Sequence, residues 1–111
     1  MPPRIGVLGL GSAAVDEILY VETYPSPDTK TRVLRRELRC GGLTATALVA
    51  ATRLGARCAY AGRLGLDYES RLVEEYLARE RVDLSQASRA AENGVVSSTI
   101  ILAMDTGSRN V

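Results

Sequence analysis

The apolar positions along the chain change period several times, and each change marks an element. Arg4 to Leu10 is a short run, apolar on both faces. Such a run predicts a central parallel strand covered by helices on each side. It enters a small-residue turn at Gly11-Ser12-Ala13-Ala14. Ile18 to Val21 is again strand-like, and Tyr24-Pro25-Ser26-Pro27-Asp28 has turn chemistry. Thr31 to Arg39 alternates, with only Leu34 and Leu38 as a thin apolar stripe. That pattern predicts a half-exposed antiparallel strand outside the main core.

After Cys40-Gly41-Gly42 the period lengthens. Ala45, Leu48, Val49 and Thr52 recur at helical spacing, so Leu43 to Leu54 is predicted helical, with Gly55 as its stop. Ala56 to Gly62 is a second core strand. Gly62-Arg63-Leu64-Gly65-Leu66-Asp67 reads as a turn plus a helix cap. Asp67 would then begin a second helix to about Arg81, with Leu72, Val73, Tyr76 and Leu77 as its apolar face and Glu75–Arg79 as an ion pair. Strand–helix alternation at these lengths implies parallel βαβ units. Ser97 to Met104 is a strand, Asp105 to Ser108 a hairpin-like turn, and Arg109 starts a partner strand. The sequence stops there, one strand into a hairpin, from which a longer parent is expected.

Composition narrows the chemistry. Among 111 residues there are 14 basic and 13 acidic side chains, a net charge of +1 and no histidine. The charge gives no basic surplus for a nucleic-acid backbone. The missing histidine removes Ser-His-Asp and Cys-His nucleophile systems and histidine metal sites. Cys40 and Cys58 are too few for a disulfide framework or a four-thiolate zinc site. No apolar run approaches the roughly 20 residues of a membrane helix, and no signal-peptide pattern opens the chain. A cytoplasmic location with free thiols is expected, with neither nucleic acid nor membrane as partner.

Gly9-x-Gly11-x-x-Ala14 has dinucleotide-fingerprint spacing, but a fingerprint must open a helix and Val15 to Val21 is β-rich, so a tight turn is the reading adopted. Asp16 falls just beyond the first core strand, where open α/β sheets place ligands. Its carboxylate can accept hydroxyls of a small polyol, or simply be a solvated turn residue. Gly41-Gly42 offers unhindered backbone, positive φ or a hinge.

Taken in order, these pieces resemble the N-terminal part of the ribokinase-like (PfkB) carbohydrate kinases. The features that carry the likeness are Gly11 with Asp16, Tyr24-Pro25-Ser26-Pro27-Asp28, Gly41-Gly42 before a helix ending Ala50-Ala51-Thr52-Arg53-Leu54-Gly55, and Gly62-Arg63-Leu64-Gly65-Leu66-Asp67. Arg81-Val82-Asp83-Leu84-Ser85 and the hairpin Asp105 to Val111 also fit. Val82-Asp83-Leu84-Ser85-Gln86 and Tyr24-Pro25 look most like ketohexokinases.

The resemblance implies an α/β fold, the N-terminal portion of an αβα Rossmann-like sheet with a small antiparallel β lid. The core would comprise about residues 4–14 and 40–94, the lid about 15–39 and 95–111. It implies a parent that binds a small sugar or related alcohol and phosphorylates one hydroxyl with ATP and Mg2+. Asp16, Gly41, Gly42 and Thr46 would form the substrate-binding set. The catalytic base and ATP-binding loops would lie beyond Val111, so this chain alone is expected to hold neither cofactor nor metal and to be inactive. Where the family carries Asn four residues after the second Gly, this chain has Thr46. Where ketohexokinases carry Asn directly after the pair, it has Leu43. Thr offers one hydroxyl and Leu no polar group, which suits a less hydroxylated or modified substrate. The alternative is a non-catalytic, diverged half acting as a lid-mediated binding module, with a homodimer through the lid.

Overall fold

The computed structural model describes residues 4–111. These divide into two compact units, one comprising Cys40–Val96 with the residues up to Val15, the other Asp16–Arg39 with Ser97–Val111.

In the first unit, β1 (Val7–Gly9) pairs in parallel with β4 (Cys58–Tyr60), Val7 opposite Cys58 and Gly9 opposite Tyr60. The chain at Asp83 extends this ladder, with Tyr60 N–H donating to Asp83 O and Asp83 N–H to Cys58 O. The helix α1 (Leu43–Arg53) buries Ala45, Leu48 and Val49, three of the positions predicted from periodicity, and Gly55 ends it at φ 100°. The helix α2 (Tyr68–Arg79) starts at Asp67 and buries Val73 and Leu77. Both helices contribute to one apolar cluster that includes Cys58, Tyr60 and Leu64.

Three local expectations change here. The segment read as a turn, Gly62 to Asp67, contains β5 (Arg63–Leu64), which pairs in parallel with β6 (Ser88–Arg89). A two-residue strand has no period of its own, so only its distant partner reveals it. Among the described residues, Glu74 pairs with Arg89 and Glu80 with Arg53, whereas the predicted Glu75–Arg79 pair is not formed. Finally, β1 is not covered on both faces. Ile5 and Leu8 stay exposed, Leu8 by 56%.

The second unit is built on a four-stranded sheet of order β3-β2-β7-β8. Its strands are β2 (Ala14–Val21), β3 (Arg35–Gly41), β7 (Val96–Ala103) and β8 (Arg109–Asn110). The hairpin of β7 and β8 is antiparallel, turning at Gly107 with φ 70°. Hydrogen bonds at the end of the β2–β7 pairing advance in the same direction along both segments, Met104 N–H to Val21 O and Asp105 N–H to Glu22 O. These two strands therefore run parallel, and the sheet is mixed where an antiparallel one was expected. A parallel neighbour requires a long crossover, and the residues from Glu22 to Val95 supply it. The strand predicted at Thr31–Arg39 is displaced to Arg35–Gly41, and β2 starts four residues before Ile18. Ladder pairing rather than side-chain alternation sets both ends. No helix follows Gly11, so the dinucleotide-fingerprint geometry is absent.

Candidate functional site

In the first unit, a cavity of about 410 Å3 opens beyond the C-terminal ends of β1 and β4, the end at which open α/β sheets bind ligands. It is lined by Leu10 to Ala13, Tyr60 to Arg63 and Gly94 to Val96. Among the described residues, Arg63 is its only charged lining residue.

The cavity's shape follows from a buried aromatic and two glycines. The Tyr60 side chain is almost wholly buried, and its hydroxyl donates to Gly11 O at 3.0 Å. Burial pushes that phenol above its ordinary pKa, so at neutral pH it is a donor. A Cβ at Gly62 would lie 2.1 Å from the Tyr60 ring, leaving space for hydrogen alone. Gly11 takes φ 146°, and a Cβ there would meet the Thr44 hydroxyl at 2.3 Å. Thr44 Oγ1 donates to Leu10 O at 3.4 Å.

The residues singled out from sequence fall as follows. Gly41 closes β3. Gly42 precedes α1 at φ 95°, and a Cβ there would lie 2.7 Å from Ala13 Cα and 2.8 Å from Ser12 O. The backbone at Gly42 thus packs directly on two residues that line the cavity. Thr46 is exposed in the first turn of α1, its N–H donating to Gly42 O at 2.9 Å. Leu43 is also exposed. Asp16 belongs to the second unit and lies within β2, so it is not the solvated turn residue of the alternative reading. It is half-buried, and its Oδ1 accepts from Ser98 Oγ at 2.5 Å. Gly41, Gly42 and Thr46 are therefore neighbours in one unit, and Asp16 is held by β7 in the other.

Sequence reasoning missed Tyr60, Thr44 and Ser98. Tyr60 looked like an ordinary strand residue, although an aromatic with a polar tip at a strand's C-terminal end was a signal. Ser98 is 82 residues from Asp16 and no local pattern links them. Among the described residues no three His, Cys, Asp or Glu side chains converge on a metal position. No described helix is long and apolar enough to cross a membrane.

The sequence profile of the pfkB family carbohydrate kinases matches residues 6–111. The chain belongs to that family. Mouse (Mus musculus) ketohexokinase is 29% identical over 105 residues, covering 95% of this chain and 35% of the relative. A nucleoside kinase of Methanothermobacter thermautotrophicus is 25% identical, covering 89% of this chain and 32% of its own length. Among solved structures, Arabidopsis thaliana ribokinase complexed with ribose and ATP superposes at a TM-score of 0.82 with 22% identity, over 94% of this chain and 34% of the ribokinase. That likeness establishes a ribokinase-type fold. This pfkB-family chain spans about a third of the length of the relatives it matches.

Proposed function

We propose that this chain is the sugar-recognising part of an ATP-dependent carbohydrate kinase that phosphorylates a hydroxyl of a small sugar or related alcohol. The observation that carries this reading is Asp16. Inside a pfkB-family match that spans both units, it is a half-buried carboxylate tied to a neutral hydroxyl rather than to a cation. It keeps the acceptor capacity a polyol needs. Gly41 and Gly42 bring unhindered backbone to the substrate, and Thr46 offers one hydroxyl where relatives carry an amide. The relatives described above are kinases of a ketohexose, of nucleosides and of ribose. Phosphoryl transfer depends on positioning and on neutralising charge around the phosphates, and the chain spans about a third of its kinase relatives' length; we infer that by itself it turns over no ATP. Two cysteines, Cys40 and Cys58, are too few for a disulfide framework and suit a reducing compartment, and we propose a cytoplasmic location.

Calorimetric titration of the chain with D-ribose and D-fructose tests the reading. At least one sugar binds, and Asp16→Asn weakens it by about tenfold or more, in line with a hydrogen bond to a charged group. An unchanged affinity in Asp16→Asn overturns it. An ATP-consumption panel on the intact gene product, with sugars, nucleosides and polyols as acceptors, tests the parent activity.

A second reading, a homodimer through the β lid, is favoured by one observation. β3 is an edge strand, and Leu34 and Leu38 beside and within it are exposed. Such an edge invites pairing with another strand. Light scattering that finds only monomer at all concentrations removes it.

A further inference from the structure

On β2 of the second unit's sheet one charged side chain, Asp16, shares a face with Ile18 and Tyr20; on the neighbouring β3, Glu37 accepts from the Tyr20 hydroxyl at 2.9 Å and Arg35 stacks over the Tyr20 ring. Asp16, Ile18 and Tyr20 alternate onto one face of β2, as Ser98, Ile100 and Leu102 do on β7. The Ser98–Asp16 hydrogen bond places these two stripes on the same side of the sheet. Ile18 and Tyr20 are buried, and Asp16 is half-buried at the stripe's end. Glu17, on the opposite face, pairs with Arg36, and Glu37 pairs with Arg35 and Arg39. Asp16 forms no ion pair among the described residues. Its partner is the Ser98 hydroxyl, donating to Oδ1 at 2.5 Å.

The choice of partner matters chemically. An arginine can take both carboxylate oxygens in a bidentate fork. A serine holds one oxygen and leaves the charge and the second oxygen in place. We propose that Ser98 is a positioning residue for Asp16: it anchors Oδ1 so that Oδ2 is presented to a hydroxyl of the ligand. The proposal rests on the reading of Asp16 as a hydroxyl acceptor and goes beyond it by assigning the residue that orients it.

A double-mutant cycle on the full 111-residue chain tests this, with D-ribose and D-fructose as probes in calorimetry and a thermal melt on every variant. Ser98→Ala weakens sugar binding five- to tenfold, and Ser98→Thr, which keeps the hydroxyl, returns affinity to within about twofold. In the Asp16→Asn background, Ser98→Ala causes no further loss, because its effect passes through Asp16. If Ser98→Ala fails to fold, the near-isosteric Ser98→Cys, a weak donor, gives the same comparison. Loss in Asp16→Asn with none in Ser98→Ala overturns the positioning role and leaves the sugar reading standing. A Ser98→Ala loss that persists in Asp16→Asn also overturns it, since Ser98 then acts independently. Failure of both sugars to bind, or full affinity in Asp16→Asn, overturns the sugar reading and this inference with it.

Discussion

At the scale of single residues, Gly42 is restricted twice over, by backbone conformation and by close packing. Its φ of 95° and ψ of 144° lie in a region that side-chain-bearing residues avoid, and a Cβ would press on backbone atoms of Ser12 and Ala13. Backbone atoms cannot swing aside as a flexible side chain can. Gly42→Ala should therefore cost roughly 2 kcal/mol or more in urea denaturation, strain and overlap combined. Thr52 presents the opposite case. Its Oγ1 is buried without a hydrogen-bond partner. Removing a buried unsatisfied hydroxyl by the isosteric Thr52→Val should raise stability by about 1 kcal/mol, read as a higher urea midpoint at constant slope. The Asp16→Asn prediction belongs at this scale too, because the carboxylate and the amide differ by one atom and one charge.

At the scale of elements, the end of α1 is tied to the end of α2. Arg53 Nε donates to Glu80 Oε2 at 2.9 Å, and a second bond links the same pair. The Arg53 guanidinium holds the Glu80 carboxyl below its ordinary value. A carboxyl lowered in the folded state contributes stability that is present above its unfolded pKa and disappears as pH falls through the folded one. Thermal melts of the wild type should therefore lose stability as pH drops below the ordinary carboxylate range. Glu80→Gln should flatten part of that acid limb while starting from a lower stability at neutral pH. An acid limb identical in both proteins would show that the pair is too exposed to matter. The helices themselves were legible from Ala45, Leu48 and Val49, and from Val73 and Leu77, because one buried face repeats at helical spacing. The two-residue strands β5 and β6 were not, since a strand that short exists only through its partner.

At the scale of the whole molecule, the unexpected feature is the open face of the β1–β4 sheet. Ile5 and Leu8 line a groove of about 500 Å3 with Ala59, Asp83 and Gln86, and Leu10 beyond β1 is 72% exposed. An exposed apolar surface of this kind promotes association. Sedimentation velocity should show the chain associating with rising concentration, and Leu8→Lys, a charge on an exposed strand position, should shift the distribution toward monomer without lowering the melting temperature. A dilute monomer that stays monomeric at high concentration would contradict this. The chain spans only about a third of its relatives' length.

The sequence by itself determined the local periods: the two helices and the longer strands, where glycine must stop or turn the backbone, and that the ordered motifs are those of the pfkB carbohydrate kinases. These are set by neighbours along the chain, through steric limits on φ and ψ and through the repeat of one buried face. Only the tertiary structure decided the rest. It showed β2 beside β7 in parallel, Tyr60 closing onto Gly11, Gly42 against Ser12 and Ala13, and Ser98 on the carboxylate of Asp16. It also left Leu8 uncovered where an apolar strand pattern implied burial. Pairing, contact and cover depend on residues tens of positions away, and no local pattern records them.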